Sequence, residues 1–564
     1  MVTRLTTVAD VQAFAQRAWP LPVLAVYLEY GGPDPLQHTV TRWTLATEEE
    51  VVQLNTADFS GAEKVAALLS PLLTGRSRVK AFHDAKKALR YLLRLQLYPE
   101  RLFDSMLADQ LLSAGGLLSE PKLVETAARH LDASFSSLKE EPPPAVAATL
   151  IYNLRKALVP QLVQAGLVRS AELEFECTLA TAEIENNGLR LDTARLRELT
   201  ARAAQKMAAA AQAFALAFGL ESPHLFGTDF TSGVNLNSDS QLLSFLQKQG
   251  LPLRRVSAKA LQPFLSQYPV LQHILDYRQG AVEYRLESFL SAVSPVTGRL
   301  HPTYSQLAAA TGRFSCSNPN IQSFPRAREY RACIIPAPGK LFAIADYSQI
   351  ELRIAAQICK DQRMLEAFRS GQDLHRLTAG ILMDKPPETV TPKERQAAKA
   401  VNFGLIYAMG AAGLAAYATQ QYGVEMTLEE ATRFRERYFQ AYRGVAAWHA
   451  RAKREQPTMV RSLSGRLRRV PKGALTNVLN SPVQGTGADI LKKALLLLSR
   501  ALRPLGGQIV AMIHDEILVE TTAIQAEVVA RVMSRAMEEA AAAFLPDVPC
   551  PVSVTLARSW AEKE

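Results

Sequence analysis

Residues 395–410 read RQAAKAVNFGLIYAMG. Arg395, Lys399, Phe403 and Tyr407 recur at intervals of four, so on a helix they lie along one slowly drifting face, roughly 6 Å per step. The preceding TPKE (391–394) carries a helix start. Thr391 can cap, Pro392 suits the first turn, and Glu394 completes a capping box. The two cations then fall near the N-terminal end, where the helix dipole also favours anions. A polyphosphate suits that end, and a sugar and base suit the two flat rings further along. A half-buried helix with a solvated basic start and an aromatic core contact fits the same residues, and the stripe alone leaves both readings open.

Two acids frame this stretch. KLFAIADYS (340–348) is an apolar run that ends in Asp346. QIVAMIHDEILVE (508–520) is two apolar runs joined at His514, Asp515 and Glu516, which reads as a hairpin with its acids at the turn. Between them lies a long helical region, roughly 361–462. A carboxylate at the end of a buried strand is costly alone. Two that share divalent cations form the clamp used for in-line phosphoryl transfer. Each acid taken singly also fits a turn or cap role. Taken together, a cationic helix and a carboxylate pair belong to one chemistry.

The chain has 564 residues, more than one core usually holds, so several domains are expected. It is 48% apolar and 21% charged, a globular balance. A net charge of +10 suits an anionic partner such as nucleic acid. The five cysteines are scattered with no CxxC pair, which argues against a cysteine zinc site and for a reducing compartment. No apolar run is long enough to span a membrane, and the first twenty residues lack a signal-peptide core, so the expected location is the cytoplasm. The first ~170 residues mix a strand at PVLAVYLEY (22–30) with helices at 62–73 and 86–95, an α/β pattern, with EEPPPAVA (140–147) as a loop inside it. Residues 170–300 read mostly helical, and 197–218 has high helix propensity throughout.

DYSQIELR (346–353), RQAAKAVNFGLIY (395–407) and IHDEILVE (513–520), in this order, resemble the three polymerase motifs of family A DNA polymerases, the DNA polymerase I type. TGRFSCSNPNIQSFP (311–325) and NSPVQGTGADILKKAL (480–495) match two further family segments, VNLNSDSQLLSFLQKQGLPL (234–253) resembles its thumb, and RSWAEKE fits its C-terminus. The resemblance covers about 170–564. It implies an α/β and α+β multidomain chain: an exonuclease-like, RNase H-like domain over 1–169, then a right hand with thumb 170–300, palm 301–360 and 463–564, and fingers 361–462. It implies template-directed addition of deoxynucleotides to a primer 3′ end, with two Mg²⁺ ions (Mn²⁺ able to substitute), primer–template DNA and deoxynucleoside triphosphates as partners, and a monomer.

The family's roles carry over by position. Asp346 and Asp515 resemble the metal-binding carboxylates, with Glu516 beside them. Glu351 resembles the residue that blocks a ribose 2′-OH. Arg395, Lys399 and His375 look like triphosphate contacts, with Gln349 also at the nucleotide. Phe403 would lie against the incoming sugar and base, and Tyr407 at the template–nascent pair. Arg313 and Gln484 resemble minor-groove probes of the primer terminus. His514 and Asn480 would sit near the primer end, and Arg331 resembles another duplex contact. Some positions depart from the family pattern. Ala408 replaces the usual Gly, Thr476 stands where many members have Arg, Asn318 replaces an Asp, and Ser323-Phe324 replaces Asn-Ile.

The N-terminal region resembles the family's 3′–5′ proofreading domain at RLFDSMLADQLLSAG (101–115). That chemistry needs about four carboxylates for two metals. The expected Asp-x-Glu reads Tyr27-Leu28-Glu29, the second Asp position reads Ala88 with Asp84 nearby, and residues 142–170 contain no Asp or Glu. The expectation is a retained exonuclease-like fold without proofreading, in which Glu29 and Asp104 serve as surface or cap residues. A 5′-nuclease domain is also expected to be absent. Four other functions are weighed against DNA-templated synthesis. A reverse transcriptase would share this active site. A non-catalytic nucleic-acid-binding relic should have lost Asp346 or Asp515. An RNA polymerase should lack Glu351. A nuclease is opposed by the missing carboxylates.

Overall fold

The computed structural model describes residues 2–137, 141–220 and 234–563. The first residue of the loop read at 140–147, and residues 221–233 of the helical stretch, lie outside the described residues. The chain divides into two compact units. One comprises residues 1–188, 302–317 and 337–557, and the other 189–301, 318–336 and 558–564.

The first unit contains two main sheets. The N-terminal sheet has six strands: β1 (Val2–Arg4), β2 (Val23–Tyr30), β3 (Val40–Ala46), β4 (Val51–Asn55), β5 (Val79–Phe82) and β6 (Leu102–Asp104). Their order is β1-β4-β3-β2-β5-β6. The β2–β3 and β3–β4 pairs are antiparallel, whereas β5 and β6 add parallel to β2. Parallel strands need crossover helices. The first, α1 (Ala85–Arg94), joins β5 to β6, and α2 (Ser105–Leu112) follows β6. The apolar start of β2, Val23 to Val26, is buried throughout, as expected for a strand covered on both faces. This is the α/β layer expected for an exonuclease-like domain.

A long helix, α3 (Val168–Asn187), packs on α1 and on the second sheet. That sheet has β7 (Lys340–Tyr347), β8 (Gln508–Ile513), β9 (Glu516–Thr522) and β10 (Val552–Ala557), in the antiparallel order β8-β9-β7-β10. Between β7 and β8 come α4 (Ile350–Cys359), α5 (Leu374–Met383), α6 (Pro392–Leu405) and α7 (Leu475–Leu502), among other helices. The apolar runs at 340–348 and 508–520 are therefore strands, and the interval between them is largely helical, as the sequence reading has it.

The second unit is mostly helical. Helices Thr193–Ala217 and Leu271–Tyr284 pack together, and Phe214, Leu242, Leu246, Leu271 and Ile274 share its core. Arg278 ties this core to backbone, donating to Leu236 O at 3.0 Å and Val256 O at 2.7 Å. Among the described residues no helix is long and apolar enough to cross a membrane.

Candidate active site

The capping box at the start of α6 forms as the sequence requires. Thr391 Oγ1 accepts from the Glu394 N–H, and Glu394 accepts from the Thr391 N–H at 2.8 Å. From that start, Arg395, Lys399 and Phe403 face a cleft of about 450 Å³. Its opposite walls are His375 of α5, the Ser348–Glu351 corner entering α4, and Asp515 from the β8–β9 turn. Cations, an aromatic ring and a carboxylate thus share one cavity.

Tyr407 departs from the expected helix face. Regular helix ends at Leu405, because Ala408 adopts a left-handed conformation (φ +62) and closes a Schellman turn. Met409 N donates to Gly404 O at 3.1 Å and Ala408 N to Leu405 O at 3.0 Å. Tyr407 sits in that turn and reaches the site through Glu351, donating its hydroxyl to Oε2 at 2.8 Å. Burial, then the Glu351 carboxylate, push the Tyr407 phenol well up, so it remains a donor. Arg313 Nη2 holds the other oxygen of Glu351 at 2.6 Å. The Glu351 carboxylate is thus fixed from two sides.

The Arg395 end of the cleft is likewise braced. Arg395 Nε pairs with Asp373 at 2.7 Å, and Asp373 in turn caps α5, accepting from the His375 N–H at 2.9 Å. Burial works to raise the Asp373 carboxyl, but Arg395 and the backbone N–H groups of Arg376 and His375 together outweigh it and the net shift is downward. His375 is only 2% exposed, and burial pushes its imidazole down to about 4. Its Nδ1 meets Asn402 Nδ2 at 3.0 Å, and Asn402 Oδ1 accepts from Thr378 at 3.1 Å. Gln349 caps the corner into α4 at φ +53, and its Oε1 is buried without a hydrogen-bond partner.

The carboxylates come together through strand register. Asp346 of β7 stands directly opposite Glu516 of β9, so their side chains share one face. His514 and Asp515 form a two-residue loop closed by the Ile513–Glu516 pair, with positive φ at the first loop position (His514, +60). Like charges directly opposite destabilise a sheet unless a cation intervenes. The donor set is all hard oxygen, which fits Mg²⁺ or a similar divalent ion. Among the described residues no group of three or more His, Cys, Asp or Glu is arranged to hold a metal by itself.

Asn480 and Gln484 lie four residues apart on α7, half-buried, and His514 is exposed at the hairpin tip. Arg331 belongs to the second unit, where its guanidinium lies 4.5 Å from the Trp560 ring centre. The sequence reading passed over Ser348 and Ile350 in the cleft wall, and Asp373, Thr378 and Asn402 behind it. Asn402 offered a signal: an amide amid apolar residues of a helix must find partners when buried.

In the N-terminal sheet, Glu29 is half-exposed and pairs with Arg42 at 2.9 Å. Asp104 is fully buried and caps α2, accepting from the Met106 N–H at 2.9 Å and also from the Ala85 N–H at 2.7 Å. Ala88 lies buried in α1.

Three comparisons bear on this geometry. The sequence model of DNA polymerase family A matches residues 193–562. DNA polymerase I of Aquifex aeolicus (strain VF5) is 32% identical over 515 residues, covering 85% of this chain and 87% of that protein. The thermostable DNA polymerase I of Thermus aquaticus is 34% identical over 418 residues, 69% of this chain, and the chain spans only 48% of that protein's length. Among solved structures, the POL domain of Pol1 from M. smegmatis, in complex with DNA primer-template and dNTP, superposes with a TM-score of 0.84 at 26% identity, covering 99% of each chain. The chain belongs to DNA polymerase family A, a class of enzymes that carry out template-directed DNA synthesis.

Proposed function

We propose that the chain extends a DNA primer at its 3′ end with deoxynucleotides, by two-metal phosphoryl transfer. The observation that carries this reading is the shared cavity of Arg395, Lys399, His375, Phe403 and Asp515. Arg395 and Lys399 take the triphosphate as cations, aided by the dipole of α6. His375 stays neutral at working pH and acts as a hydrogen-bonding group beside them. Phe403 stacks along the sugar and base, and Gln349 supplies a polar contact. Glu351, held by Tyr407 and Arg313, occupies the space a 2′-hydroxyl would need. Asp346 and Asp515 hold the metals, with Glu516 as an accessory carboxylate. Mg²⁺, or Mn²⁺ in its place, held by Asp346 and Asp515, would supply neutralisation of phosphate charge and acidification of the primer hydroxyl.

Arg313, Gln484, Asn480, His514 and Arg331 are assigned to the primer–template duplex. In this reading residues 170–300 form the thumb, 301–360 and 463–564 the palm, and 361–462 the fingers. The chain works as a monomer. The five free cysteines suit a reducing cytoplasm. The 1–169 domain is without proofreading activity. In support, Glu29 is engaged by Arg42 and Asp104 by backbone N–H groups, and the other ligand positions are Tyr27 and Ala88.

The test is primer extension with Mg²⁺ and deoxynucleotides beside a control lacking nucleotides. Extension with an intact primer in the control is expected. No extension contradicts the polymerase reading, and a primer that shortens in the control contradicts the loss of proofreading.

A further inference from the structure

Within the first unit lies a buried charge cluster that none of the site roles above uses. Glu174 of α3, Asp489 and Lys492 of α7 are fully buried, and Arg466 is 4% exposed. Two cations balance two carboxylates. Arg466 pairs with both acids, and Ser462 Oγ donates to Asp489 at 2.7 Å. Lys492 Nζ spends its three protons on Glu174 Oε1 (2.6 Å), Gln306 O (2.9 Å) and Gly312 O (2.7 Å). It also lies 5.1 Å from the centre of the Phe314 ring. Burial pushes the Lys492 ammonium down, and the Glu174 carboxylate offsets only part of that.

The residues on either side of Arg313 are thus both held by one ammonium. Gly312 is locked further: it has φ +81, and a Cβ there would come within 2.7 Å of Arg466 Cδ. Arg313 itself is exposed and reaches Glu351. Buried ion clusters seldom stabilise more than apolar residues of similar volume would. A lysine does here what an apolar residue could not, since it ties one carboxylate to two carbonyls of the loop that delivers Arg313.

We propose that Lys492 is a positioning residue for Arg313, and that discrimination at the primer terminus depends on the Lys492–Gly312 hold. This rests on the assignment of Arg313 to the primer terminus. The test uses the full chain with Lys492→Met, Arg313→Ala and the double variant, in single-nucleotide incorporation on matched and mismatched primer ends. Rates are normalised to active sites by burst amplitude. Lys492→Met is expected to lower matched kcat/KM by about tenfold and to narrow the matched-to-mismatched ratio, yet to change kcat/KM by less than about twofold once Arg313 is alanine. Equal losses in both backgrounds overturn the proposal, because a purely structural lysine acts whether or not Arg313 is present. If Lys492→Met does not fold, Lys492→Met/Glu174→Gln, which leaves Arg466 and Asp489 as a balanced pair, carries the same expectation and the same contradiction. Arg313→Ala with unaltered matched and mismatched kinetics would instead overturn the assignment of Arg313, independently of Lys492.

Discussion

Ala408 occupies a left-handed turn position that favours glycine, where a Cβ costs roughly 1–2 kcal/mol. Ala408→Gly is therefore expected to stabilise the chain by about 1 kcal/mol in urea unfolding, after the entropy that glycine loses on folding is subtracted. A loss of stability would contradict the strain assigned to this turn. The same alanine made Tyr407 hard to place from sequence. Without a glycine at the stop position, the four-residue repeat reads straight through the helix end. His375 offers a second test at this scale. Its folded value of about 4 lies below the unfolded value near 6.5. The neutral ring's contribution to stability is complete above pH 6.5 and is lost as pH falls toward 4. An imidazole NMR titration should show a midpoint near 4, and a midpoint near 6.5 would contradict a buried, Asn402-bound ring.

Elements carried most of what could be read in advance. The capping box at 391–394, the hairpin at 508–520 and the strand that carries Asp346 near its end all stand where local pattern put them. Each rests on contacts within a few residues, which periodicity and cap chemistry report directly. The contacts that finish the site are of another kind. Arg313 meets Glu351 across 38 positions, Asp346 meets Glu516 only through sheet register, and Glu174 meets Lys492 across 318. No local pattern encodes such pairings. The cap itself is testable. Lys385 and then the Thr391 backbone pull the Glu394 carboxyl down to about 2, so the cap is fully formed above the unfolded value near 4.5 and weakens as pH falls toward 2. Thr391→Ala should cost about 1 kcal/mol. It should also raise KM for deoxynucleotides more than Kd for duplex, since Arg395 lies on the first turn. An equal effect on both would detach the cap from triphosphate binding.

Across the whole molecule, an α/β N-terminal sheet and the sheet that carries Asp346 share one compact unit, bridged by α3, and residues 189–301, 318–336 and 558–564 form a second, mostly helical unit. Motif order made the family visible, and the match to family A and the Pol1 POL domain agree with it. The boundaries proposed for thumb, palm and fingers are less legible in the sequence, because the chain enters the first compact unit three times. The central claim is that Asp346 and Asp515 hold the metals for nucleotide transfer. The most direct measurement is single-turnover incorporation by Asp346→Asn and Asp515→Asn, with primer–template affinity measured in parallel. Both variants keep side-chain shape and lose the charge. The expected result is a loss of incorporation of about a thousandfold or more, with duplex Kd within about threefold of wild type. Turnover near the wild-type rate in either variant would contradict the metal assignment.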